Sequence, residues 1–118
     1  MQPVTENRRR HKRYKLDNSL SIASLGTFQV TDISRGGFCF KCPPRTLIPD
    51  VWETDILTSA TFLEGFTARR VWVSLAENGN HEYLPTTVGV KFGKLTQKQE
   101  SLLRGLLENL ENNTNKPH

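Results

Sequence analysis

Between Tyr14 and Phe92 the apolar residues fall in short runs at every second position, and glycines, prolines and asparagines cut one run from the next. That period belongs to strands with one buried face, and short turns between such strands favour antiparallel neighbours. Tyr14 and Leu16, then Leu20 and Ile22, alternate with polar residues, which puts them on the buried face of a first strand that Asp17-Asn18 can bulge or twist. Leu25-Gly26 is a turn signal. Thr27–Asp32 alternates again, and Gly36-Gly37 allows the positive φ of a tight reversal. Phe38 and Phe40 then share one face of the next strand, with Cys39 and Lys41 on the other. Pro43, Pro44 and Pro49 mark a long connection. Two strands follow at roughly Asp55–Phe62 and Phe66–Ser74, with Leu63-Glu64-Gly65 between them. Asn78-Gly79 is a further hairpin signal, and the last strand runs from about Leu84 to Phe92.

The period then changes. Thr96 with Gln99 fits a capping box, and Leu102, Leu103, Leu106, Leu107 and Leu110 recur at the spacing of one helix face. Burying those five leucines would contribute on the order of 10 kcal/mol before chain entropy, so the stripe reads as packing. The chain is therefore expected to be mainly β: a six-stranded antiparallel β-barrel with a C-terminal α-helix over residues 13–111. A flexible basic N-terminal arm (1–12) would precede it and a disordered tail (112–118) would follow.

With 118 residues the chain suffices for one core. The polar N-terminus carries no secretory signal, no apolar run is long enough to span a bilayer, and two cysteines suit a reducing compartment, so a cytoplasmic location is expected. The net charge of +4 sits in one place. Arg8, Arg9, Arg10, Lys12 and Arg13 face only Glu6 within the first thirteen residues, while the remainder is balanced. A basic arm on a neutral body points to a local anion site; a specific nucleic-acid face would spread its cations over one surface. From charge alone, a solvated tail or a short nucleic-acid arm fits the same residues.

Catalysis finds no support. Cys39 and Cys42 are three apart on a strand and so point to opposite faces, and no second pair completes a zinc site. His11, His81 and His118 form no triad. Gly89–Leu95 lacks the spacing and the terminal hydroxyl of a phosphate loop, and Ser34 has neither a nucleophile elbow nor a base beside it. No catalytic residue, metal or cofactor is expected.

What remains is the arm and the segment Asp32-Ile33-Ser34-Arg35-Gly36-Gly37. An arginine fork matches phosphate oxygens or the O6/N7 edge of guanine, and its plane stacks on a base. Arg9 and Arg13 are four apart, with Arg8 extending the set. Asp32 can accept from guanine N1–H and N2–H, a pair of donors that adenine lacks. Ser34 can donate to a phosphate or a base. Asp32-x-Ser34 also suits a turn that bonds its own backbone.

Arg8-Arg9-x-x-x-Arg13 followed by Asp32-x-Ser34-x-x-Gly37 resembles the paired signature of PilZ domains, bacterial receptors for cyclic di-GMP. The resemblance extends over nearly the whole chain, through the Val88–Phe92 strand and the leucine-rich helix. It implies a PilZ-like barrel with Arg8, Arg9, Arg13, Asp32, Ser34, Gly36 and Gly37 at the ligand. Arg9 and Arg13 would hold phosphates and guanine edges. Arg8 before that pair goes, in the family, with an intercalated dimer, hence two ligands per chain. Trp72, on the expected fifth strand, is either a wall of the site or a core residue. The implied function is a receptor or adaptor that folds its arm over the dinucleotide and presents a changed surface to a downstream protein partner. The alternative is a PilZ-like adaptor that binds protein or nucleic acid without the dinucleotide. Ordering roughly eight arm residues costs on the order of 10 kcal/mol, more than one arginine returns, so several forked contacts are required.

Overall fold

The computed structural model describes residues 11–74 and 86–114. Its strands are β1 (Tyr14–Lys15), β2 (Leu20–Ala23), β3 (Gly26–Ile33), β4 (Gly37–Cys42), β5 (Val51–Leu57), β6 (Phe62–Ser74) and β7 (Thr86–Phe92), followed by helix α1 (Gln97–Thr114). Every pairing is antiparallel, and β3-β2-β5-β6-β7-β4 returns to β3, closing a six-stranded barrel. β1 adds no new position in the ring. It lies on β3 ahead of β2, with Tyr14 opposite Ile33 and Leu20 opposite Gln29, so the expected first strand is present but broken. Backbone bonds from Leu16 to Thr31 (3.0 Å) and from Val30 to Ser19 (2.9 Å) carry the ladder across the break. Asn18 takes a φ of 56° there, a left-handed conformation that asparagine tolerates.

The break reverses the face of everything after it. Leu16 points into the core, and strict alternation would send Leu20 and Ile22 there too. Instead Ser19 and Ser21 are buried, while Leu20 and Ile22 are exposed. The expectation that they line the core is wrong because a one-residue change of phase exchanges the two faces of a strand. Ser21 and Thr54 meet inside the barrel with their hydroxyls 2.8 Å apart, so the inward polar groups satisfy each other.

Aromatic rings fill the rest. Phe28 stacks on Phe40 at 5.2 Å between centroids, Trp52 meets Phe40 edge-on at 6.1 Å, and Phe66 meets Phe92 edge-on at 5.3 Å. Phe38, Phe40 and Cys42 face inward on β4, and burial pushes the Cys42 thiol pKa up. Cys39 is on the opposite face, lining an outer cavity, as strand geometry requires.

Two boundaries differ from expectation. The β5–β6 hairpin turns at Ser59-Ala60, where Thr58 Oγ1 accepts from the Ala60 and Thr61 amides at 3.1 and 2.9 Å. Leu63-Glu64-Gly65 is inside β6. Leu63 and Phe66 are both core residues three apart, which regular alternation forbids, and an irregularity at Gly65 (φ 69°) reconciles them. The Gly65 amide donates to Asp55 Oδ1 at 2.7 Å. The helix continues to Thr114, so residues 112–114 belong to it and not to a tail.

The capping box is present in both directions: Thr96 N–H donates to Gln99 Oε1 at 2.9 Å and Gln99 N–H to Thr96 Oγ1 at 3.0 Å. Gln99 Nε2 also donates to the Gly65 carbonyl at 3.0 Å, fixing the helix start to β6. Leu103 and Leu106 are buried, Leu107 and Leu110 partly so, and Leu102 is exposed at the edge of the stripe. Among the described residues no helix is long and apolar enough to cross a membrane. The Asn78-Gly79 turn, Leu84, His81, His118 and Arg8–Arg10 lie outside the described residues.

Candidate functional site

The β3–β4 connection is held by its own serine. Ser34 N–H donates to the Gly37 carbonyl at 2.8 Å, and the Gly36 amide donates to Ser34 Oγ at 3.2 Å. The turn is further tied to β7 by Phe92 N–H on the Gly36 carbonyl at 2.8 Å. Gly36 and Gly37 do not adopt the positive φ expected of them; among the described glycines only Gly26 and Gly65 do. Gly37 is required for a different reason. A Cβ there would overlap the Val90 carbonyl oxygen, because β4 passes β7 too closely for any side chain. At Gly36 a Cβ would sit 3.2 Å from His11 Cδ2, so the histidine ring covers the turn.

A register irregularity between Val30 and Asp32 precedes the turn. It lets Ile33 face the core while Asp32 remains partly exposed beside Ser34. The Asp32 carboxylate accepts from Thr31 Oγ1 at 3.4 Å, a long contact that leaves it acceptor capacity. On the other side, a second irregularity between Arg70 and Trp72 turns the indole onto the outer face, where it lies across Gly89. A Cβ at Gly89 would overlap Trp72 Cε2 and Nε1. Trp72 is thus a wall of the outer cavity and not a core residue.

These pieces surround one concavity of about 680 Å³, lined by Arg13, Asp32, Ser34, Gly36, Gly37 and Trp72, together with His11, Phe38, Cys39, Val71, Gly89, Val90 and Lys91. Six of the eight residues singled out in the sequence meet there; Arg8 and Arg9 lie outside the described residues. The sequence reading missed His11, Cys39, Val71, Gly89 and Lys91. Gly89 had a legible signal, a glycine in mid-strand between two valines. Lys91 follows from Gly89 by alternation.

Residues 11–14 split between two sides. His11 and Arg13 turn to the cavity, with Arg13 Nη1 3.9 Å from Cys39 Sγ. Lys12 and Tyr14 turn to the helix. Lys12 Nζ lies 3.0 Å from Glu111 Oε1 and 5.2 Å from the Tyr14 ring centroid, and the Tyr14 hydroxyl donates to the same carboxylate. Those bonds to Glu111 raise the pKa of both Lys12 and Tyr14. A smaller cavity of about 330 Å³ opens on that side, with Arg35, Tyr14, Leu103 and Glu111 in its lining.

The main cavity combines cations (Arg13, Lys91), a carboxylate acceptor, an indole and a floor kept free of side chains by glycine. Its size is that of a small-molecule site, and its chemistry suits an anion bearing a planar ring with donors on its edge. Among the described residues no cluster of three or more His, Cys, Asp or Glu could hold a metal.

The architecture is thus a closed six-stranded antiparallel barrel with a concavity beside the β3–β4 turn. The PilZ domain matches residues 7–109, and the chain belongs to that family. No curated protein sequence matches it. Among solved structures it is similar to the PilZ domain of YcgR from Escherichia coli with c-di-GMP, at 19% identity and a TM-score of 0.67, over 91% of this chain and 94% of that one. It is also similar to the MrkH–c-di-GMP complex of K. pneumonia, at 14% identity and a TM-score of 0.73, over 90% of this chain and 53% of that one. An uncharacterized Legionella protein matches at 14% identity and a TM-score of 0.64, over 89% of this chain and 99% of that one.

Proposed function

We propose that the protein is a cyclic di-GMP receptor whose arginine arm closes over the dinucleotide. One observation carries the reading: Arg13, Asp32, Ser34, Gly36, Gly37 and Trp72, spread over sixty positions of sequence, line a single cavity. Arg13, with Arg8 and Arg9 from the arm, engages phosphates and the guanine O6/N7 edges. Asp32 accepts from the guanine N1–H and N2–H, which selects guanine over adenine. Ser34 spends its hydroxyl on holding the turn and reaches the ligand with its remaining lone pair or by exchanging that bond. Trp72 stacks or packs on a base, and Arg8 recruits a second, intercalated ligand. The role is binding, without catalysis or a resident cofactor.

Closure also supplies a signal. His11 and Arg13 face the ligand, while the intervening Lys12 and neighbouring Tyr14 hold Glu111 at the end of α1. Drawing the arm onto the dinucleotide changes what these residues present beside the helix, the changed surface a downstream protein reads.

Calorimetric titration with cyclic di-GMP tests this, with GTP and cyclic di-AMP as controls and Arg9→Ala/Arg13→Ala as the inactive variant. Micromolar or tighter binding that excludes both controls and vanishes in the variant is expected, with two ligands per chain. Absence of heat and of thermal stabilisation at millimolar dinucleotide overturns the reading.

A further inference from the structure

The phase change at Asp17-Asn18 leaves β2 with its apolar side chains outward, and they do not stand alone. Leu20 (38% exposed) pairs directly with Leu57 (42%), and Leu57 pairs with Phe62 (45%) across the next ladder. Ile22 (36%) lies two residues along from Leu20 on the same face. Directly paired side chains in neighbouring strands are in contact range, so these four make one continuous outer patch over β2, β5 and the start of β6. Isolated exposed leucines are ordinary; a contiguous group is the mark of an interaction surface.

On the β5 and β6 side of the patch the charges are acidic, while Lys41 of β4 ends the same outer row on the other side, beyond Gln29. Exposed Glu53 and half-buried Asp55, whose carboxylate accepts the Gly65 amide, lie on the outer face of β5 before Leu57, and exposed Glu64 follows Phe62 on β6. β2 carries no charge, and the arginines of β6, Arg69 and Arg70, come only beyond Ala68. A second copy centred on the Leu57–Phe62 side of the patch would set carboxylates against carboxylates, which opposes self-association there. A segment with apolar side chains flanked by lysine or arginine complements both the apolar row and its acidic border. We infer that this face docks a protein partner through a basic, amphipathic segment. The patch begins at Phe62 and the ligand cavity lies at Val71 and Trp72, roughly 30 Å farther along β6 at strand rise, so both can be filled together. The inference stands whether or not the cavity takes cyclic di-GMP.

The test replaces Phe62 in the full chain with the photo-crosslinking residue p-benzoylphenylalanine, in the cells that make the protein. The captured segment is sequenced, and its affinity is measured with purified chain. A segment of another protein with basic and apolar residues together is expected. Leu57→Ser/Phe62→Ser and, separately, Glu53→Lys/Glu64→Lys should each weaken that pair at least tenfold. All four positions are exposed, so the variants should unfold at the parent temperature, and their cyclic di-GMP titrations should be unchanged. Crosslinks only to this chain or to lipid, no crosslink, or an affinity indifferent to the charge reversal would each overturn the inference.

Discussion

The outer surface around the β3–β4 turn and the outer surface of β2, β5 and early β6 are built in opposite ways from the same barrel. Around the turn, Gly36, Gly37 and Gly89 withhold side chains, so the sheet recedes and Arg13, Asp32, Lys91 and Trp72 stand around a hollow. On the other face Leu20, Ile22, Leu57 and Phe62 project, and nothing recedes. A hollow suits a small ligand held from several sides, whereas a raised apolar row suits a broad partner. Both depend on local departures from regular strand geometry: irregularities before Asp32 and Trp72 aim the cavity walls, and the Asn18 break turns β2 inside out.

The contrast can be broken most severely at the glycines. Gly37→Ala puts a methyl into the Val90 carbonyl, which is backbone and cannot swing away. A loss of about 3–5 kcal/mol in denaturant unfolding is expected, enough to leave a marginal domain unfolded. Arg13→Ala should leave unfolding nearly unchanged but cost roughly 2–4 kcal/mol of cyclic di-GMP binding by calorimetry, as should Arg9→Ala, while Arg10→Ala costs little. Equal small losses at every cation of the arm would mean diffuse attraction and no defined site. Gly89→Ala is gentler. Its methyl meets a half-exposed indole that can move, so the fold should persist while binding weakens by about 1–2 kcal/mol as Trp72 leaves its place. The helix offers a paired control. Leu103→Ala should destabilise by roughly 2–4 kcal/mol and Leu102→Ala by under about 0.5, because only the first is buried.

Most of the fold was legible because period and punctuation are local properties. Phe38 and Phe40, the Thr96–Gln99 cap and the closing β7 all follow from residues within a few positions of one another. The errors share one cause. Alternation carried through Asn18 puts Leu20 and Ile22 inward, while Gly65 read as the end of a strand puts the β5–β6 hairpin at Leu63–Gly65; each residue in fact resets the phase within a continuing strand. Asn18 and Gly65 do that resetting, and an asparagine or glycine does not reveal from sequence whether it ends a strand or only kinks it. The site followed the same rule. Asp32, Ser34 and Gly37 sit in one short motif and were found together. Gly89 and Lys91 reach the cavity from a strand fifty residues away and depend on the pairing of β4 with β7. Gly37 lines the cavity, but its need for glycine comes from β7 and not from its own φ.

The weakest link between the two sides of the arm is also the one that pH can address. Lys12 and Tyr14 both have raised pKa values, first through their hydrogen bonds to Glu111, so the fold favours their protonated forms. For a raised folded pKa, the stabilisation is fully present below the unfolded value, 10.5 for Lys12 and 10.0 for Tyr14, and is lost as pH rises through the folded value. Glu111→Gln removes the charged acceptor. The melting temperature of the parent should exceed that of the variant by a small, constant amount from pH 7 to 9, and the two curves should converge above about pH 10. Because Lys12 is exposed and Tyr14 only partly covered, the gap is small, and salt should narrow it further. A gap that persists unchanged to pH 11 would mean that Glu111 acts through packing at the end of α1, and the coupling of arm to helix would then have to run through the Tyr14 ring instead of the charge.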